Sequence, residues 1–123
     1  MASIGSWWLA KHEALVGEAQ VWSCAANRTQ SPTRAVGGQL LLTNRRLLFS
    51  PHLLDYASGG AKWAVDLASI TDVGIQPKGG DRLGGGLRDR LRLQLKDGQT
   101  ELFVVNHLDD VVTRLQAATS AVV

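Results

Sequence analysis

The segment Gly37-Gly38-Gln39-Leu40-Leu41-Leu42-Thr43-Asn44-Arg45-Arg46-Leu47-Leu48-Phe49-Ser50-Pro51 carries the strongest structural signal in the chain. Two apolar runs, Leu40–Leu42 and Leu47–Phe49, flank the polar tetrad Thr43-Asn44-Arg45-Arg46. Asparagine tolerates positive φ and hydrogen-bonds its own backbone, so the tetrad suits a tight turn and the whole reads as a β-hairpin. The glycine pair before it and Pro51 after it punctuate both ends, because neither residue type readily continues a strand.

Outward from the hairpin, the chain reads as further strands. A first strand is expected from Glu18 to about Ala26, with Val21, Ser23 and Ala25 on one face and Trp22 and Cys24 on the other. The polar, proline-containing run from Asn27 to Gly38 reads as a mobile loop, and Pro51 to Ala61, with Ser58-Gly59-Gly60, as another. Lys62 to Leu67 and Ile70 to Gln76 form the fourth and fifth strands, the latter ended by Pro77. Gly79, Gly80, Gly84, Gly85 and Gly86 are too many for an element interior and mark a flexible loop. Leu91, Leu93 and Leu95 alternate with Arg90, Arg92, Gln94 and Lys96, a half-buried strand whose outward face is expected to be basic. After the turn Lys96-Asp97-Gly98-Gln99, a seventh strand runs from Thr100 to Val105. At the ends, Trp8, Leu9, His12, Leu15 and Val16 recur at helical spacing, predicting a short N-terminal helix. Val111, Val112, Leu115, Ala118 and Val122 predict a C-terminal helix with Asn106 as N-cap and Asp109 and Asp110 favouring its dipole.

The hairpin resembles the signature of the GRAM domain, a relative of the pleckstrin-homology fold, in which Gly-x-Leu-x-Leu-Thr-Asn-x-Arg-Leu-x-Phe joins two strands. Gly38, Leu40, Leu42, Thr43, Asn44, Arg46, Leu47 and Phe49 fit it. Gly17-Glu18, Val21-Trp22, Trp63, Ile70, Asp97-Gly98 and Phe103 follow in the order such a domain has, extending the resemblance from about Gly17 to Leu115, as in a bacterial-type GRAM-like protein. It implies a mainly β (α+β) fold: a pleckstrin-homology-like bent β-barrel of about seven antiparallel strands capped by the C-terminal helix. The expectation is one domain over residues 1–123 with its core in 17–119.

At 123 residues with 45% hydrophobic and 20% charged side chains, the chain is long enough to bury a core without staples. Cys24 is the sole cysteine, so an internal disulfide or zinc ribbon is excluded and a reducing compartment fits. The first ten residues lack an export signal, and no apolar run approaches the ~20 residues of a spanning helix. The expected location is cytoplasmic, at the inner face of the membrane when attached.

No convergent catalytic set is visible, which argues against an enzyme. His12, His52 and His107 lack metal-ligand spacing, and Asp109-Asp110 diverge on a helix. The glycine loop lacks the Gly-Lys-Ser/Thr ending of a phosphate loop. Neither cofactor nor metal is expected.

The net charge of +2 is too mild to imply nucleic acid, and the basic segment lacks the stacking aromatics that single-strand binders use. That segment holds Lys78, Arg82, Arg88, Arg90, Arg92 and Lys96 against Asp81 and Asp89, a local excess of +4. These six, with Arg45 and Arg46 at the hairpin tip, are the candidate anion contacts. Trp7 and Trp8 are the candidate membrane-interface residues, although tryptophans also plug cores.

The resembled family includes lipid-binding members and adaptors. The expected function is peripheral attachment to an anionic phospholipid surface through the basic strand face and the glycine loop. The alternative is a protein-interaction adaptor. Specific inositol-phosphate recognition is disfavoured, since only Arg28 and Arg34 lie where pleckstrin-homology domains cluster their cations.

Overall fold

The computed structural model describes residues 3–79 and 86–121. Its elements are β1 (Ser3–Ile4), β2 (His12–Glu13), β3 (Gln20–Ser31), β4 (Arg34–Thr43), β5 (Arg46–Pro51), α1 (Leu53–Ala57), β6 (Trp63–Asp66), β7 (Ile70–Gln76), β8 (Arg90–Leu95), β9 (Thr100–Val105) and α2 (Leu108–Ser120). Strands β3 to β9 form one antiparallel sheet in the order β6-β5-β4-β3-β9-β8-β7. Because β6 and β7 are not paired to each other, this is a bent sheet with two free edges rather than a closed barrel.

Strand alternation decides what the bend encloses. The pairs Cys24↔Leu40, Leu40↔Phe49 and Leu91↔Phe103 place those side chains on one face. Phe49 and Trp63 pack on Phe103 with ring centroids 5.9 and 5.5 Å away. Helix α2 closes this core with Val111, Val112 and Leu115. Its Gln116 amide donates to the Val73 carbonyl on β7 at 3.0 Å.

Between Gln76 and Arg90 the turn is closed at its base, where Gly79 N–H donates to the Gly86 carbonyl at 2.7 Å. The rest of the expected glycine loop, with Arg82, lies outside the described residues. So does Val122 of the C-terminal stripe.

Four expectations are corrected. The N-terminal segment is not a helix. It is a strap: β1 pairs with β2, Ala10 N–H donates to the Pro51 carbonyl and Leu53 N–H to the Trp8 carbonyl. The apolar spacing read as helical reflects burial of Ile4 against Leu41 and Leu48, and of Leu9 and His12, on the outer face of the β4–β5 hairpin. That hairpin is therefore buried on both faces, which explains its unbroken leucine runs.

Asn27 to Gly38 is not a loop, because β3 and β4 run on to a tight turn at Pro32-Thr33. Their polar side chains are satisfied at the far end of the sheet. Arg28 pairs with Glu101 at 2.9 Å, and the Gln30 amide both donates to the Gly59 carbonyl and accepts from Ala61 N–H. Within Pro51 to Ala61 lies α1. Finally, the residue preceding α2 is His107 in the left-handed region (φ 54°, ψ 51°), with no side-chain cap bond, rather than Asn106.

Candidate docking surface

The hairpin motif is a structural lock. The Thr43 hydroxyl accepts from the backbone N–H groups of Arg45 and Arg46 at 3.0 and 2.8 Å, shaping the turn, and donates to Glu18 Oε2 at 2.7 Å. The Asn44 side chain accepts from Ala19 N–H and donates to the Gly17 carbonyl. Arg46 grips the Glu18 carboxylate through Nε at 2.8 Å and Nη2 at 2.6 Å. The Glu18 side chain is 0% exposed, and these bonds, led by that from Arg46, hold its carboxyl at a pKa of about 2.

Gly17-Glu18 and Thr43-Asn44-x-Arg46 are thus one interlock between the strap and the sheet. Arg46 is consumed by it and is not a free anion contact. Arg45 is exposed at the tip, its Nη1 bonding the Val16 carbonyl.

The basic strand face does not form as expected. Arg90 is only 2% exposed, its guanidinium reaching across β9 to the Thr29 hydroxyl at 3.0 Å. Arg92 lies half-buried against Gly74, whose missing side chain leaves it room, and is 3.9 Å from Asp72. Leu102 stands directly opposite Arg92 on this outer face, giving its stem an apolar neighbour.

Lys78, Arg88 and Lys96 are exposed. Lys78 and Arg88 line a groove of about 650 Å³ beside the α2 N-terminus, but Asp89, Asp109 and Asp110 line it too, so its field is mixed. No group of three or more His, Cys, Asp or Glu among the described residues is placed to hold a metal.

Trp7 and Trp8 are brought together with residues that the sequence reading passed over. The strap's bonds to Pro51 and Leu53 set the two indoles beside the start of α1, and α1 buries none of its residues. Trp7 and Leu54 are 77% and 87% exposed, and Trp8, Leu53 and Tyr56 are also exposed. Contiguous apolar exposure of this kind is what monomeric proteins avoid unless it meets a partner or a lipid surface.

Lys62 stands over the Tyr56 ring at 5.8 Å and donates to the Lys11 carbonyl, putting two cations at the patch margin. Arg34 fixes the end of α1 through the Ser58 carbonyl at 2.7 Å. A shallow cleft of about 150 Å³ lined by Asn27, Gly38, His52 and Arg88 carries one predicted cation toward the patch. Lys96 lies past the other end of β8, where its N–H donates to the Ser69 carbonyl at 2.9 Å. In sequence the only signal for α1 was the doublet Leu53-Leu54, indistinguishable from loop hydrophobics without the strap beside it.

No helix of the described residues is long and apolar enough to cross a membrane. No family model matches the chain, and no curated protein matches it by sequence. Solved structures do resemble it. The C-terminal domain of an unknown protein from Leishmania infantum superimposes with a TM-score of 0.65 at 15% identity, over 85% of this chain and 86% of that one. The Vps36 N-terminal PH domain gives 0.60 at 16%, over 89% and 85%. The hSac2 domain of human phosphoinositide phosphatase Sac2 gives 0.62 at 16%, over 88% and 74%. A seven-stranded antiparallel sheet bent round one core and closed by a C-terminal helix, shared with these neighbours, is the pleckstrin-homology-like fold, and this chain has it.

Proposed function

We propose that the chain is a non-enzymatic, GRAM-like docking module that attaches peripherally to an anionic membrane surface. The observation that carries this reading is the exposed patch of Trp7, Trp8, Leu53 and Leu54 with cations at its margin. Indoles settle at the boundary between headgroups and acyl chains, having one apolar body and one hydrogen-bonding edge. Lys11, Lys62 and Arg88 supply the electrostatic share, about 1 kcal/mol each near an anionic leaflet. The basic strand face contributes little, since Arg90 is buried and Arg92 half-buried.

The test is co-sedimentation of the purified chain with zwitterionic and with anionic vesicles, at low and at physiological salt. Binding to anionic vesicles that weakens with salt, and falls at least tenfold in Trp7→Ser/Leu54→Ser, supports the reading. Absence of binding under all four conditions overturns it and assigns the patch to a protein partner.

A further inference from the structure

On the opposite side of the molecule, β3 is paired with β4 along its length, but β9 meets it only from Ala26 to Arg28. From Gln20 to Ala25 the second edge of β3 carries no strand, and among the described residues no backbone hydrogen bond reaches it. Sheet edges of this kind are templates for another extended chain.

This edge does not open onto bulk solvent. It borders a groove of about 790 Å³ whose floor and walls include Trp22 and Cys24 of β3 and Val111, Arg114, Ala117 and Ala118 of α2. The small side chains of Ala117 and Ala118 leave the space between helix and strand unfilled. Trp22 and Cys24, on the core face of β3, offer apolar contact beneath. Arg114 lies over the Trp22 ring at 5.3 Å and, among the described residues, has no carboxylate within salt-bridge distance.

We propose that this groove binds an extended peptide segment of a partner protein, which adds as a strand to the Gln20–Ala25 edge. At about 3.3 Å per residue, the edge accommodates roughly six residues. Alternate side chains of the segment enter between Trp22, Cys24 and Ala118 and are apolar. One acidic side chain meets Arg114, where a carboxylate and a guanidinium released from water together make a charge-assisted pair. The groove is separate from the tryptophan patch, so membrane attachment and peptide capture are independent properties of one domain.

The probe is a displayed library of random twelve-residue peptides selected against the full chain, followed by amide hydrogen exchange with one enriched synthetic peptide. The expected result is enrichment of alternating apolar sequences carrying an acid, with at least tenfold slower exchange at alternate amides of Gln20–Ala25. Ala118→Arg fills the groove and should weaken binding at least tenfold. If that variant does not fold, Arg114→Glu, on the exposed face of α2, should do the same for the acidic peptides alone.

Several outcomes overturn the proposal. They are no enrichment over the Ala118→Arg control, protection elsewhere than this edge, or a concentration-dependent dimer protecting these same amides, which would make the occupant a second copy. Trp7→Ser leaves peptide binding unchanged if the two surfaces are independent.

Discussion

Replacing Glu18 by Gln removes one charge from the interlock while keeping its size and most of its hydrogen-bonding capacity. The carboxylate accepts from Arg46 Nε and Nη2, the Thr43 hydroxyl and Leu15 N–H, and its side chain is fully shielded from water. Its pKa is lowered from 4.5 to about 2, chiefly by the Arg46 bonds. At about 1.4 kcal/mol per pH unit, that fall is worth about 3 kcal/mol of folding stability at neutral pH.

The mutational route gives a similar figure. Deleting one partner of a shielded pair costs about 3–5 kcal/mol, because the guanidinium is left without its counter-ion. For a domain of this size that is a fall in Tm of roughly 10 °C.

The sign of the pH dependence follows from the depressed folded value. The unfolded chain holds the proton more tightly, so the contribution is complete above the unfolded pKa of 4.5 and is lost as pH falls toward 2. Urea unfolding of wild type and Glu18→Gln at pH 7, 4 and 2.5 should show a gap of about 3 kcal/mol that shrinks to about 1 kcal/mol or less at pH 2.5. A gap below about 1 kcal/mol at pH 7, or one that persists undiminished at pH 2.5, would refute the interlock as the motif's purpose.

Other consequences are as specific. Gly38→Ala drives a methyl group into the Ser50 carbonyl and to 2.7 Å from Pro51 Cα, and should cost about 3 kcal/mol or more in thermal unfolding; Gly37→Ala, meeting side-chain atoms of Asp55, Asn27 and His52 at 3.1, 3.2 and 3.6 Å, should cost far less. Burial pushes the Cys24 thiol up to about 11, so a maleimide at pH 7.5 should label the folded protein slowly and the urea-unfolded protein fast. Burial also lowers the pKa of His12, whose Nε2 sits 2.9 Å from the Phe49 carbonyl. Its unfolded form therefore takes up a proton first, and stability should drop as pH falls from 6.5 through the folded value, a dependence that His12→Gln removes in denaturant titrations.

The parts of this fold legible in sequence are those whose ends are marked by turn-forming residues. Ile70–Gln76 and Thr100–Val105 lie at the expected residues, their bounds marked by Pro77 after the first and the Asp97-Gly98 turn before the second. The strap was misread because two different periods coincide there. Leu9 and His12 are buried by the outer face of a neighbouring hairpin, not by their own helix.

The β3–β4 turn region was misread for the opposite reason. Arg28 and Gln30 look like loop residues, yet Glu101, Gly59 and Ala61, all distant in sequence, satisfy them. Site residues divide the same way. Trp7 and Trp8 could be singled out by composition, whereas the fate of Arg46 and Arg90 depends on Glu18 and Thr29, contacts that local patterning does not encode. That α1 exposes Leu53 and Leu54 is a consequence of the strap's bonds to Leu53 and Pro51, and has no local signature.

The most direct measurement is tryptophan fluorescence of the chain mixed with anionic vesicles whose acyl chains carry bromine, compared with the Trp7→Ser/Trp8→Ser variant. Because Trp22 and Trp63 are partly buried against the core, quenching should come from the two strap indoles, be strong in wild type, and disappear in the variant. Absence of quenching in wild type, or equal quenching in the variant, would contradict docking through this patch.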